Sequence, residues 1–395
     1  MKRRYSLCSY LAGAVAARLG DEMSGPALML AGFALTGSTT DASSLLAGIT
    51  VSAAVGGPVL GALLDRTGRP GGMLGGAIAL YAAGLVLILL GLGHVPFTVT
   101  LVIAVATGLL GPALSGGWTA QLPRVVTGDR LPRANALDAM TFSAASLAGP
   151  ALTGGAAEAL GAPMATVVSA ALMASALPAA WRLPARPATA PDVRPTSLIS
   201  DLAAGIRAIA GKRLLARATL ASVMCCTAQG MLTACLPLLG ERVLGGANQG
   251  VMLLSCSAIS ALAANALLAR FPRAVAPDTI IWAGALVQAA ALALAAVGRP
   301  AALIAAIVLI GIGEGPQLVA LFAVRHREAP EHLRGQIFTT GASLKITGFA
   351  VGAAITGPVA GWSLPGALAL ASVLAGAAVL TVFIPSATDA PLSRS

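Results

Sequence analysis

Apolar residues in this chain come in continuous runs rather than in alternation, and short breaks rich in Gly, Pro or Arg separate them. Taken run by run, the sequence predicts helices at approximately 7–37, 43–64, 73–93, 97–119, 135–160, 162–182, 214–240, 248–269, 278–298, 301–323, 336–361 and 364–384. Each is about the length needed to cross a hydrocarbon core of roughly 30 Å as a helix. A membrane-spanning barrel needs segments of about ten residues with alternating character, which these runs lack. The pattern therefore predicts an all-α membrane protein with about twelve transmembrane helices.

The longest break, 184–213, opens with Pro184, Pro187, Pro191 and Pro195 and continues into a segment with Leu198, Leu202, Ile206 and Ile209 on one face. It reads as a stiff linker followed by an amphipathic helix lying on the membrane. The linker separates an N-terminal six-helix bundle, 1–183, from a C-terminal one, 214–395. The two halves echo each other. Gly111-Pro112 recurs as Gly315-Pro316 and the Gly61–Arg66 stretch as Asn265–Arg270, both at an offset of 204; Gly149-Pro150 recurs as Gly357-Pro358 at 208. Similar offsets in register point to a duplicated bundle, a plan on which many secondary transporters are built around a central site.

Charge fixes an orientation. Only 10% of the residues are charged, far below a water-soluble domain, and the net charge is +10. Of the 25 basic residues, 21 fall at the termini or in breaks on one side of the predicted spans, whereas the opposite breaks hold only Arg242 and Arg299. Basic residues collect in cytoplasmic loops, so both termini are expected in the cytoplasm and the excess charge needs no nucleic-acid partner. The Ala-, Gly-, Arg- and Pro-rich composition, with three Lys, suggests a GC-rich bacterium and hence a plasma (inner) membrane location. The start, Lys2-Arg3-Arg4 before Leu7–Ala17, also has the look of a cleavable leader, although cleavage would remove part of the first span. The five cysteines lie in apolar runs and read as small fillers.

Between the second and third runs stands Gly61-Ala62-Leu63-Leu64-Asp65-Arg66-Thr67-Gly68-Arg69. Here the chain resembles the major facilitator superfamily, whose signature at that loop is G-x-x-x-D-R-x-G-R plus a further base. Pro70 replaces that base, and the second-half copy carries Ala269 where the Asp would be. Gly61 would let spans 2 and 11 approach closely, and Asp65 can face the positive end of a neighbouring helix or pair with Arg. The resemblance implies that Asp65, Arg66 and Arg69, with Gly68, steady the state closed to the cytoplasm. Gly149-Pro150-Ala151-Leu152-Thr153-Gly154-Gly155 is similar to the GPxxGG signature of the family's drug and proton antiporters, with one residue too many. Gly357-Pro358 begins a nearer match in the other half; both pairs could bend helices at gates. The Arg that many of these antiporters carry in span 4 is absent.

Ionisable residues within spans are expensive and point to function. Span 1 holds Arg18, Asp21 and Glu22, with Arg18 in helical reach of both carboxylates. Glu314 in span 10 and Lys345 in span 11 lie near the middle of their runs and can pair across helices. Two cations against three carboxylates leave at least one carboxylate without a buried cation, which suits either proton coupling or binding of a cationic substrate. Gln229 falls near the repeat-equivalent of Asp21 and Glu22, and Gln317 one turn beyond Glu314; each can line a cavity or join helices.

No phosphate-binding loop is present, since Gly211-Lys212 is followed by Arg213, and His94, His326 and His332 have no metal spacing. No cofactor, no metal and no enzymatic activity are expected; the proton gradient is the energy source. The reading is a transporter working by alternating access, most consistent with proton-coupled efflux of small amphipathic organic molecules by a monomer in the lipid bilayer. A nutrient importer or facilitator on the same fold, or a non-transporting sensor or assembly partner, are the alternatives. Aromatics at 4% favour an aliphatic cavity with polar spots.

Overall fold

The computed structural model describes residues 6–185, 198–271 and 274–383. Among them there is helix and turn but no strand. In chain order the α-helices are α1 Leu7–Thr36, α2 Thr39–Arg66, α3 Pro70–Gly91, α4 Phe97–Gly108, α5 Leu122–Val125, α6 Leu131–Leu160, α7 Ala162–Ser175, α8 Leu177–Trp181 and α9 Leu198–Gly211. They are followed by α10 Arg213–Leu239, α11 Ala247–Arg270, α12 Pro277–Ala295, α13 Pro300–Glu328, α14 Arg334–Trp362 and α15 Leu364–Ala377. Among the described residues, ten segments are long and apolar enough to cross a membrane. The long helices outside that set are α1 and α6, which carry Arg18, Asp21 and Glu22, and Arg133, Asp138 and Glu158. With them the spans number twelve.

Local chemistry sets the boundaries. Ser6 caps α1 by accepting from the Ser9 N–H at 3.2 Å, Ser38 caps α2 by accepting from Asp41 at 3.1 Å, and Ser363 caps α15 by accepting from Gly366 at 3.0 Å. Proline opens α3, α12 and α13, where its missing N–H costs nothing. Gly37 ends α1 at φ +69°, a conformation that a side chain would oppose.

The span expected over 97–119 is not one straight helix. After Gly108 the chain turns through Gly111-Pro112 into a π-helix, Ala113–Gly117, because Pro112 has no N–H to continue the α ladder. Its repeat partner, Gly315-Pro316, lies inside the unbroken α13.

The described residues fall into two compact units: one spans Met1–Leu202 with His332–Ile346, the other Ala203–Glu331 with Thr347–Ser395. Each has its own apolar core. Tyr10, Leu28, Leu45, Ile78, Trp118 and Met173 fill the first, with Tyr10 and Trp118 rings 5.8 Å apart. Met231, Leu236, Leu292, Leu303 and Leu368 belong to the second. Helix α14 is shared, its first half belonging to the first unit and its second half to the other.

The amphipathic segment forms α9, which is tied to α14. Ile209 is buried, Ile206 is exposed, and the Leu202 carbonyl accepts from Gln336 Nε2 of α14 at 3.2 Å. Pro187, Pro191 and Pro195 of the expected linker, and Lys2, Arg3 and Arg4 of the leader-like start, lie outside the described residues.

Candidate functional site

In the first unit, the polar interior of α1 is organised by a residue that the sequence reading passed over. Arg18, 2% exposed, does not turn to its i+3 and i+4 neighbours. Its Nη1 donates to Asp138 Oδ1 at 3.0 Å and to the Asp138 carbonyl at 2.9 Å, and its Nη2 to Asp138 Oδ2 at 3.3 Å. Nη2 also reaches Thr119 Oγ1 at 2.8 Å, and Nη1 reaches Thr141 Oγ1. Thr119 in turn donates to Asp138 Oδ2 at 2.9 Å, and the Phe142 ring lies 3.6 Å from the guanidinium carbon. Asp138 is fully buried. A buried ion pair is stable only when its remaining donors and acceptors are met, and this one is nearly saturated. The apolar run begins near 135, so hydropathy alone does not place Asp138 inside the span. The helix begins four residues earlier, at Leu131, and Asp138 lies two turns in.

With Arg18 committed to Asp138, the two other carboxylates of α1 diverge to neutral partners. Asp21 is bonded by the Tyr81 hydroxyl of α3, which also shares a 3.1 Å hydrogen bond with Ser24 Oγ. Glu22 is exposed and accepts from Ser146 Oγ of α6 at 2.9 Å. Both lie near the midpoint of the 30-residue α1. There an exposed carboxylate is tolerable only against water, so Glu22 marks a wetted face of the helix. Gly149 permits this arrangement: a Cβ there would lie 2.7 Å from Glu22 Cβ. Pro150 follows inside α6, whereas Gly357 before Pro358 in α14 faces open space.

In the second unit Glu314, near the midpoint of α13, accepts from Gln229 Nε2 of α10 at 2.7 Å. Gln317 is buried and fastens helices: its Nε2 donates to the Ile281 carbonyl at 3.0 Å and to Cys225 Sγ at 3.4 Å, and its Oε1 accepts from Gln288 at 3.1 Å. Lys345 is half-buried on α14. The helix α13 also runs past its apolar stretch, so Arg325 and His326, which the charge pattern assigns to a loop, are buried at 2% and 7% exposure.

The Gly61–Arg69 motif is built within the first unit. Gly57 and Gly61 of α2 lie against the start of α14: a Cβ on Gly61 would overlap Thr339 Oγ1 and Gln336 Cα. Ser343 Oγ donates to the Ala53 carbonyl at 2.7 Å and accepts from the Gly57 N–H at 3.1 Å. One turn on, Asp65 accepts from the Gly335 and Gln336 N–H groups, each at 2.8 Å. These are unsatisfied donors of the first turn of α14, so Asp65 caps a helix from another helix and meets its positive end. Gly116 of the π-helix packs on the Phe338 backbone of the same segment. Arg66, Gly68 and Arg69 are exposed.

The major facilitator superfamily model matches residues 10–345. An MFS-type transporter of Sinorhizobium fredii, y4rN, is 30% identical over 384 residues, covering 95% of this chain and 94% of that protein. Among solved structures, the human organic anion transporter MFSD10 superposes with a TM-score of 0.78 at 16% identity, over 97% of this chain and 100% of that one. A bacterial homologue of the iron transporter ferroportin, in an outward-facing state, gives 0.76 at 13% identity over 95% and 98%. The Escherichia coli fucose:proton symporter FucP gives 0.71 at 18% over 95% and 97%. The twelve spans, the close packing at Gly61, the capping carboxylate at Asp65 and these likenesses together place the chain in the major facilitator superfamily, as a multi-pass membrane transporter.

Proposed function

We propose that the protein is a proton-coupled exporter of small amphipathic organic molecules, resident in a bacterial plasma membrane with both termini in the cytoplasm. The observation that carries the coupling is the commitment of Arg18 to Asp138. It leaves Asp21 and Glu22 near mid-span with hydroxyl partners, Tyr81 and Ser146, and in the second unit Glu314 has the Gln229 amide as its partner. A carboxylate held this way changes little in its contacts when it gains or loses a proton, so a gate can set its protonation state. Alternating access supplies that gate, with Asp65 on the first turn of α14 holding the inner side shut. Export rests on the likeness of the Gly149–Gly155 stretch to the antiporter signature.

The test is a pH-dye assay in inside-out vesicles with an acidic lumen, run over a panel of amphipathic antibiotics and organic cations. Dequenching by a compound, lost in Glu22→Gln or Asp21→Asn while counterflow of unlabelled for labelled substrate persists, is the expected result. Unchanged pH-driven flux in both variants overturns the assignment of the carboxylates. Uptake only in right-side-out vesicles replaces export by import.

A further inference from the structure

At the end of the second unit where the basic residues gather, the starts of α10 and α12 and the tail after α15 enclose a recess. Open space is bounded there by Arg217, Asp278, Thr279, Trp282 and Thr381. Neighbouring ends are tied down around it: Lys212 Nζ donates to the Glu328 carbonyl at 2.8 Å, and Arg327 pairs with Glu328 at 2.7 Å and Asp278 at 3.5 Å. Arg217 is the exception. It is half-buried on the wall of the recess and has no hydrogen-bond or salt-bridge partner among the described residues. A guanidinium in the first two turns of a spanning helix, beside a Trp that is 38% exposed, sits at headgroup level.

We infer that this recess binds the headgroup of an anionic phospholipid, its phosphate on Arg217 and a terminal hydroxyl donating to Asp278. Three observations select that chemistry. The cations around the recess, Lys212, Arg213, Arg217 and Arg327, outnumber Asp278 and Glu328, so a net anion is drawn in. Asp278 on the wall would repel a bare anion, but its carboxylate has acceptor capacity beyond the long contact to Arg327, which a headgroup hydroxyl can use. Trp282 gives an amphipathic wall on which the glycerol backbone and upper acyl chains can lie. The guanidinium then exchanges water for a charge-assisted pair with phosphate. This site is independent of the transport pathway and stands whatever the substrate is.

The experiment uses the full-length protein in neutral detergent, titrated with phosphatidylglycerol or phosphatidylcholine. Thermal stability and lipid retention in native mass spectrometry are followed. Phosphatidylglycerol is expected to raise Tm and stay bound, phosphatidylcholine to do neither. Arg217→Gln should weaken the apparent affinity for phosphatidylglycerol by about tenfold, the loss of one charge-assisted contact. Arg217→Lys should retain most of it, and Arg242→Gln, just past the far end of α10, all of it. Trp282→Ala removes a wall without touching a charge and serves if Arg217→Gln does not fold; it should lose affinity several-fold. Equal effects of the two lipids, undiminished affinity in Arg217→Gln, or equal protection by soluble glycerol phosphate each overturn the proposal.

Discussion

The two halves of the chain echo each other in sequence, yet they hold their buried polar groups in different ways. In the first unit Gly111-Pro112 breaks the fourth span into a π-helix, and two residues beyond it Thr119 joins the Arg18–Asp138 pair. In the second unit Gly315-Pro316 leaves α13 helical, and the interior is knit by amides, Gln229 to Glu314 and Gln288 to Gln317. The carboxylates have moved too. Glu314 lies on the fourth span of its half, whereas Leu110 stands at the corresponding first-half position and the acids are on α1. The two halves share a scaffold but place their polar residues differently: the first holds a buried ion pair beside acids with hydroxyl partners, the second a lone acid with an amide partner.

The comparison can be broken at the ion pair. Asp138→Asn leaves Arg18 charged in an interior without a counter-charge, and should cost about 3–5 kcal/mol. The double change Arg18→Met with Asp138→Leu should recover most of that in thermal unfolding in detergent. A double variant as unstable as the single one would mean that the pair stabilises by itself. Gln317→Leu is the matching test in the second unit. It removes the second bond to the Ile281 carbonyl, leaves Gln288 without its amide partner and should cost about 1–3 kcal/mol, less than the charge deletion because no ion is left bare.

Next in size is the cap. Asp65→Ala removes an anion from the first turn of α14 and should cost about 1 kcal/mol. It should also raise the labelling rate of a cysteine placed at Thr339, whose hydroxyl faces Gly61. The smallest contrast sharpens the repeat itself. Gly149→Ala forces a methyl to 2.7 Å from Glu22 and should destabilise, whereas Gly357→Ala meets nothing within 4 Å and should be neutral or stabilising by about 0.5–1 kcal/mol. Equal Tm shifts in the two would show that the Gly-Pro pairs have the same role.

The spans and the family were legible because each is written in local sequence: run length, and a nine-residue motif. The partners were not. Arg18 pairs with a residue 120 positions away, and the i+3 and i+4 geometry that points to Asp21 and Glu22 gives no means of seeing Asp138. The burial of Arg325 and His326 was hidden for a related reason. Hydropathy locates where an apolar run ends, but α13 continues to Glu328 under the cover of neighbouring helices. The π-helix was announced only by Gly111-Pro112, and the same dipeptide at Gly315-Pro316 shows that the signal alone does not decide the backbone.

The sharing of α14 between units has a consequence in the order of synthesis. Asp65 and the backbone it caps are separated by 270 and 271 residues. At a ribosomal rate of about 5–20 residues per second, α2 waits roughly 15–55 s in the membrane before Gly335 and Gln336 are made. During that time its glycine face and its carboxylate are exposed to whatever the insertion machinery offers. The contact of Asp65 with the first turn of α14 is thus among the last to become possible during biogenesis, and a ribosome stalled before α14 would leave a nascent chain with this glycine face and carboxylate uncovered.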